Sequence, residues 1–226
     1  MDNEAKKIFE QYDRRKNNER INKHSQDFYF NHYAQSEREL GYQEILKKKY
    51  SSLESVSILE IGAGSGINLY FFKKLGIKWE NIYANELLDD RIIQLKENFP
   101  IIKIYEGDGR KILLDKESTF DIVFQSTVFT SILNDSVKKE LAKKMWSLLK
   151  PNGIILWYDF IYDNPQNKDV KGIKTSEISE LFPESTKISF KKVTLAPFIG
   201  RKIRKLYPFV NILPILRTHI IAVIQK

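Results

Sequence analysis

The chain has 226 residues, 42% of them hydrophobic, with 37 Lys and Arg against 29 Asp and Glu and a formal charge of +8. That is enough apolar chain for one sizeable core, which excludes a disordered tail, and the lack of any cysteine excludes disulfides, thiolate catalysis and Cys-based zinc sites. Every acid lies at or before Glu184: residues 1–184 hold 28 basic against 29 acidic groups, whereas Lys187 to Lys226 hold nine basic groups and no acid.

The first fifty residues are rich in Lys, Asn, Glu and Gln. Their large apolar positions, among them Phe28, Tyr29, Tyr33, Leu40, Ile45 and Leu46, are too few for a separate core. Two or three helices leaning on a larger domain are expected there, as a helical extension over residues 1–50. The opening Met-Asp-Asn-Glu-Ala-Lys-Lys leads into no apolar run, and no stretch reaches the ~18 apolar residues of a membrane helix. The expectation is a soluble, cytoplasmic chain. With histidine only at 24, 32 and 219, no metal site is expected.

From residue 56 onward, short β-branched runs alternate with helical stretches, the pattern of βαβ units around a parallel sheet. Strands are expected at Val56–Ile61, Ile82–Asn85, Ile101–Tyr105, Asp121–Gln125, Ile154–Tyr158, Lys187–Leu195 and Arg217–Gln225. Helices are expected at Ile67–Lys74, at Asp89–Asn98 with Asp89 and Asp90 favourable near its positive end, at 134–149 with Asn134 or Asp135 as cap, and at Thr175–Phe182 before Pro183. Lys150-Pro151-Asn152-Gly153 reads as a turn, and 196–216 as a Pro-punctuated connector. By strand alternation, one of Trp157 and Tyr158 should be core and the other surface. Residues 51–226 form one domain on this reading, with 187–226 as its basic segment.

The first strand runs into Glu60-Ile61-Gly62-Ala63-Gly64-Ser65-Gly66. Glycines between a strand and its helix let backbone approach a ligand and aim free helix N–H groups at it. The spacing departs from the dinucleotide fingerprint, since the third glycine follows after two residues and an acid precedes the first. A carboxylate there suits the ammonium of an amino-acid moiety, not a pyrophosphate. Glu86 ends the second strand, 20 residues after Gly66, where an acid can accept ribose hydroxyls. Gly107-Asp108-Gly109 follows the third strand, where an adenine amino group would lie.

With these pieces, the strand Phe120-Asp121-Ile122-Val123-Phe124-Gln125 and the ending Leu148-Leu149-Lys150-Pro151-Asn152-Gly153-Ile154, the sequence resembles the class I S-adenosylmethionine-dependent methyltransferases over residues ~56–160. The resemblance implies an α/β, Rossmann-like sheet of seven mostly parallel strands, the last antiparallel, with helices on both faces. It implies S-adenosyl-L-methionine as cofactor, leaving as S-adenosyl-L-homocysteine. Glu60, Gly62, Ala63, Gly64 and Gly66 would hold the methionine part, Glu86 the ribose, Leu87 the adenine ring, and Asp108 with Gly109 the adenine amino group. Gln125, just before Ser126 and Thr127, would stand near the methyl.

Methyl transfer is an in-line displacement, so the protein aligns the nucleophile, excludes water and, for a hydroxyl, removes a proton. Residues 125–127 lack the Asn/Asp-Pro-Pro-Tyr/Phe arrangement that resembling enzymes use on base nitrogens, which argues against nucleobase N-methylation. Asp159, in the aromatic and acidic stretch after the fifth strand, is a candidate base or substrate ligand, and its alternative is a turn cap before Asn164-Pro165. In resembling enzymes such an extension, here residues 1–50, often lids the site, and its His24 and His32 are further candidate bases, each alternatively a surface or capping residue. His219, inside an apolar strand, reads as structural. Trp157 to Phe160, Asn164-Pro165, Asp169-Val170, Leu195-Ala196-Pro197 and Leu216 to His219 further resemble a bacterial methyltransferase subgroup found beside surface-polysaccharide genes. That implies a sugar, nucleotide-sugar or glycan hydroxyl as acceptor, anionic in character.

Two alternatives rest on the basic segment. One is an RNA methyltransferase, disfavoured because the extension mixes both signs of charge and no RNA-binding appendage is recognisable. The other is a membrane-surface methyltransferase or non-catalytic binding module, since 197–214 interleaves basic and apolar residues that could meet an anionic membrane at its inner face. That segment reads first as a partly buried connector between two strands with a solvated basic face.

Overall fold

The computed structural model describes residues 3–16, 27–114, 119–164 and 167–226. Its strands are β1 (Ile58–Ile61), β2 (Ile82–Glu86), β3 (Lys103–Glu106), β4 (Phe120–Ser126), β5 (Leu149–Phe160), β6 (Lys187–Leu195) and β7 (Arg217–Gln225). They form one sheet in the order β3-β2-β1-β4-β5-β7-β6, in which β7 alone runs antiparallel. The helices are α1 (Asn3–Lys16), α2 (Phe28–Lys49), α3 (Ile67–Lys74), α4 (Asp89–Asn98), α5 (Asp135–Leu148), α6 (Thr175–Leu181), α7 (Pro197–Ile203) and α8 (Tyr207–Val210). This is the seven-stranded, Rossmann-like arrangement the sequence led us to expect.

Both faces of the sheet are covered, and the alternation of side chains along each strand sorts the core into two clusters. On one face Ile58, Ile122, Phe124 and Ile154 pack with Tyr42 and Leu46 of α2 and with Leu69 and Phe72 of α3. On the other, Leu59, Val123, Ile155 and Trp157 pack with Leu141, Met145 and Leu148 of α5 and with Ile178 of α6. Removing Phe72 and Phe124 from water stabilises the fold by roughly 1.5–3 kcal/mol each. Double coverage also corrects the expectation for Trp157 and Tyr158: both are buried, at 0% and 4% exposure, one in each cluster.

A second correction concerns the residues expected to turn ahead of the fifth strand. Lys150 to Gly153 already belong to β5, which begins at Leu149. Asn152 takes a positive φ of 64°, and the pairing register with β4 shifts between Phe120 and Ile122, so the Pro-Asn-Gly signal marks an irregular strand start. The connector 196–216 is also more ordered than its prolines suggest, for it holds α7, α8 and short 3-10 turns.

The extension contributes two described helices. In α2, Asp27 caps the first turn by accepting from the Phe30 amide at 3.1 Å, and Lys47, Lys48 and Lys49 complement the negative end. Glu37 fastens this helix to the far side of the sheet by accepting from the Thr194 amide at 2.8 Å and the Tyr207 hydroxyl at 3.1 Å. The helix α1 is tied to the loop after β5 through Arg14 and Asp169, 2.7 Å apart.

Candidate active site

A cavity of about 370 Å3 opens at the carboxyl ends of β1, β2 and β4, where the strand order reverses direction between β1 and β4. In an open α/β sheet this switch point leaves a crevice between diverging loops. Its floor is the glycine loop. Gly62, Gly64 and Gly66 take positive φ of 67°, 59° and 81°. A Cβ on Gly62 would lie 2.6 Å from Val128 Cγ2, and one on Gly66 would strike the Phe99 ring, so the loop has space only for glycine at those two positions.

Glu60 and Glu86 do different work at the ends of their strands. Glu86 is buried and accepts three backbone N–H groups, Gly64 at 2.7 Å on Oε2 and Leu87 and Leu88 at 2.9 Å each on Oε1. It thereby pins the glycine loop to the end of β2, with acceptor capacity left on Oε2. Glu60 is 1% exposed, and its Oε1 accepts from Asn68 Nδ2 at 2.6 Å, while its Oε2 has no partner. Burial pushes the Glu60 carboxyl up to about 8, against the opposing pull of Asn68 and Arg38.

Arg38 of α2 faces the same space. It lies 5.0 Å over the Tyr158 ring, its Nε is buried without a partner, and it is near enough to Glu60 for each to influence the other's ionisation. Glu60 and Arg38 thus both line the cavity, and each holds a buried polar atom, Glu60 Oε2 and Arg38 Nε, without a hydrogen-bond partner. Since a buried polar atom left unpaired costs roughly 1–3 kcal/mol, the two mark where a ligand bearing both charges would be gripped.

Asp108 also lines the cavity, but its carboxylate already faces Arg110, which donates from Nε at 3.0 Å and Nη2 at 2.5 Å and reaches on to Glu140 at 2.7 Å. Asn85 sets the height of that loop, with Nδ2 donating to the carbonyls of Tyr105 and Gly107 at 2.8 and 2.9 Å. Leu87, Ile132, Val137 and Leu141 supply the apolar part of the wall. Ser126, Thr127 and Ser131 add hydroxyls, and Ile8 and Tyr12 of α1 also line the cavity. Arg91 lies 4.6 Å over the Tyr12 ring and holds α1 against α4.

The structure thus brings Glu60, Gly62, Ala63, Gly64, Glu86, Leu87, Asp108 and Gly109 to one cavity, with Gly66 capping α3 just behind. Gln125 lies beneath the wall, fully buried. Its Oε1 accepts from the Val128 amide at 3.0 Å and its Nε2 donates to Asp159 Oδ2 at 3.1 Å. Asp159 is enclosed as well and accepts from Thr130 Oγ1 at 2.6 Å, and burial pushes its carboxyl up to about 7. Gln125 and Asp159 therefore brace the segment 127–131 from behind instead of facing the cavity. His32 is exposed and stacked on Phe28 at 5.6 Å, away from the cavity wall. His24 lies outside the described residues. His219 stacks on Tyr158 at 5.3 Å, and burial depresses its ring to about 3, consistent with a neutral structural role.

The residues the sequence left unmarked are Arg38, Asn68, Tyr12 and Arg110. Arg38 had a signal: with Tyr42 and Leu46 it continues a buried stripe at four-residue spacing, and a charge on such a stripe needs a reason. Among the described residues no group of three His, Asp or Glu could hold a metal ion.

Residues 58–153 match a family described as a methyltransferase domain. Three solved structures share the fold. A SAM-dependent methyltransferase from Archaeoglobus fulgidus is 17% identical, with a TM-score of 0.58 over 88% of this chain and 99% of that one. A 1,6-didemethyltoxoflavin-N1-methyltransferase from Burkholderia thailandensis, solved with 1,6-didemethyltoxoflavin and S-adenosylhomocysteine, is 16% identical, with a TM-score of 0.59 over 84% and 78%. An S-adenosylmethionine-dependent methyltransferase from Mesorhizobium loti is 12% identical, with a TM-score of 0.58 over 81% and 96%. No curated protein matches the chain in sequence.

Proposed function

We propose that this protein, which has the SAM-dependent methyltransferase fold, binds S-adenosyl-L-methionine in the cavity and methylates a small-molecule acceptor, on a hydroxyl of a sugar, nucleotide-sugar or glycan precursor. The carrying observation is that Glu60 and Arg38, each with a buried polar atom left unpartnered, stand together in the lining of a cavity above a glycine loop. An amino acid's α-ammonium and α-carboxylate are the zwitterion that complements them, so the residues present fit the cofactor's methionine end. Glu86 has acceptor capacity left for a ribose hydroxyl, and Leu87, Val137 and Leu141 give an adenine ring an apolar bed.

When bound, the cofactor supplies a methyl group on a sulfonium centre. The protein's own contribution is positional. Glu60 and Arg38 fix the amino-acid end, Ser126, Thr127 and Ser131 offer hydroxyls that orient an acceptor, and Ile8 and Tyr12 exclude water as the lid formed by the extension. Asp159 acts here as a positioning residue through Thr130, not as a base in contact with substrate. The hydroxyls of Ser126, Thr127 and Ser131 support a hydroxylated acceptor, and Arg91 suits an anionic one. The site is a partly open pocket of about 370 Å3 with Ile8 and Tyr12 of the extension in its lining, which speaks against an RNA acceptor, whose backbone would need a long basic groove.

The test is to incubate the protein with S-adenosylmethionine and sugar nucleotides, free sugars, amines or RNA, and to follow S-adenosylhomocysteine release. Release with a sugar-bearing acceptor, and a product with the methyl on oxygen by NMR, is the expected result. A methyl on nitrogen, or turnover on RNA alone, contradicts the proposal.

A further inference from the structure

The segment between β6 and β7 lies at the same edge of the sheet as the cavity. Leu195 pairs with Arg217, and Phe160 at the carboxyl end of β5 pairs with His219, so residues 196–216 span that edge. Beneath, the segment is well held: Tyr207 packs with Phe30 and Leu195, its ring stacks on Tyr33 at 5.4 Å, and Gly200 is pressed against Phe30. Its outer side is different. Phe198, Leu206, Phe209, Ile212, Leu213 and Ile215 are all more than half exposed, Ile215 by 83%, and Phe28 of α2 is 71% exposed nearby. Apolar side chains clustered outward on an anchored segment are an unpartnered surface, not a loosened core.

Lys202, Arg204 and Lys205 are exposed among them, Arg204 and Lys205 lying over Tyr29 at 5.6 and 5.9 Å. Residues 185–226 contain no acid. The acids that approach from α2 lie on the inner side, Asp27 towards Arg201 and Glu37 towards Tyr207 and Arg217.

We propose that this surface docks peripherally on an anionic lipid bilayer, its apolar side chains entering the headgroup boundary and its lysines and arginines meeting lipid phosphates. Charge complementarity selects this occupant. A second copy would bring two acid-free basic surfaces together. Single-stranded RNA would satisfy the cations and stack on Phe198 and Phe209, but it would leave the aliphatic Leu206, Ile212, Leu213 and Ile215 uncovered. A bilayer with anionic headgroups uses both sets at once. No described helix is long and apolar enough to span the membrane, so the association is at the surface. Phe28 and Arg38 stand ten residues and roughly 15 Å apart on one helix, so the docked face and the cavity wall share α2. Docking stands on this surface alone and does not depend on the methyl-transfer reading.

Vesicle flotation of the full chain tests it. Binding is expected to phosphatidylcholine vesicles containing phosphatidylglycerol, to weaken with salt, and to be absent with phosphatidylcholine alone. Each exposed cation contributes about fivefold, so Lys202→Gln with Arg204→Gln and Lys205→Gln should weaken partitioning on the order of a hundredfold. Ile212→Ser with Ile215→Ser should weaken it about tenfold or more with an unchanged thermal melt. If that variant melts differently, Phe198→Ser with Phe209→Ser serves the same purpose. The proposal is overturned if wild type stays unbound at low salt, if it binds neutral vesicles equally, or if the apolar variants float like wild type. It is equally overturned if the surface prefers an RNA oligonucleotide, or if Ile212→Ser and Ile215→Ser instead abolish a dimer.

Discussion

Glu60, the glycine loop, Glu86 and Asp108 all stand where a parallel strand leaves the sheet, whereas Arg38, Tyr12, Thr127 and Ser131 reach the same cavity from two extension helices and an irregular loop. The first group shares one short-range logic: a strand end fixes the position, and backbone N–H groups or a carboxylate complete it. The second group is assembled by packing. Arg38 is in place because Glu37 anchors α2 to Thr194 and Tyr207, and Thr127 because Gln125, Thr130 and Asp159 hold its loop from behind. Most of the cofactor half is thus fixed locally, whereas Arg38 and the whole acceptor half depend on contacts distant in sequence, so damage to the strand ends and to the acceptor wall should give separate signatures.

The largest effect is expected in the cofactor half. Glu86→Ala removes the acceptor of three buried or half-buried backbone N–H groups and frees the loop at Gly64. At roughly 1–3 kcal/mol for each stranded donor, S-adenosylhomocysteine affinity should fall about a hundredfold or more by calorimetry. Binding at wild-type strength would erase the distinction between the halves.

A smaller effect is expected behind the acceptor wall. Asp159→Ala strands the Thr130 hydroxyl and the Gln125 amide, so the melt should report a loss of roughly 1–3 kcal/mol. The acceptor KM should rise with cofactor affinity within about twofold of wild type, and a matched loss of cofactor would show the two halves to be one unit. The same site sharpens the comparison through pH. Because burial raises Asp159 to about 7, the folded state holds its proton more tightly than the unfolded state, and wild-type stability falls as pH rises from the ordinary carboxylate range through about 7. Asp159→Asn should flatten part of that slope in melts across pH, the remainder belonging to Glu60, raised to about 8.

What was legible in the sequence follows the same division. The strand–loop–helix punctuation gave the sheet and placed Glu60, Glu86 and Asp108 at one edge, because each is a local consequence of spacing. It did not show that Asp108 would face Arg110, although that residue follows two positions later, nor that Glu86 would spend most of its capacity on backbone. Asp159 read as a candidate base or a turn cap, and its enclosure stayed hidden because the burial of β5 on both faces is a property of the whole sheet. The lid role of the extension came from the family resemblance, and Arg38 became visible only once α2 was laid against Tyr158 and Glu60.

The central claim is that Glu60 and Arg38 together grip the amino-acid end of the cofactor, and calorimetric titration with two ligands tests it directly. S-Adenosylhomocysteine carries that end, and 5′-methylthioadenosine lacks it. The account predicts that Glu60→Ala and Arg38→Ala each weaken S-adenosylhomocysteine about tenfold or more while leaving methylthioadenosine affinity unchanged. Equal binding of S-adenosylhomocysteine to wild type and both variants, or an equal loss of both ligands, would contradict it.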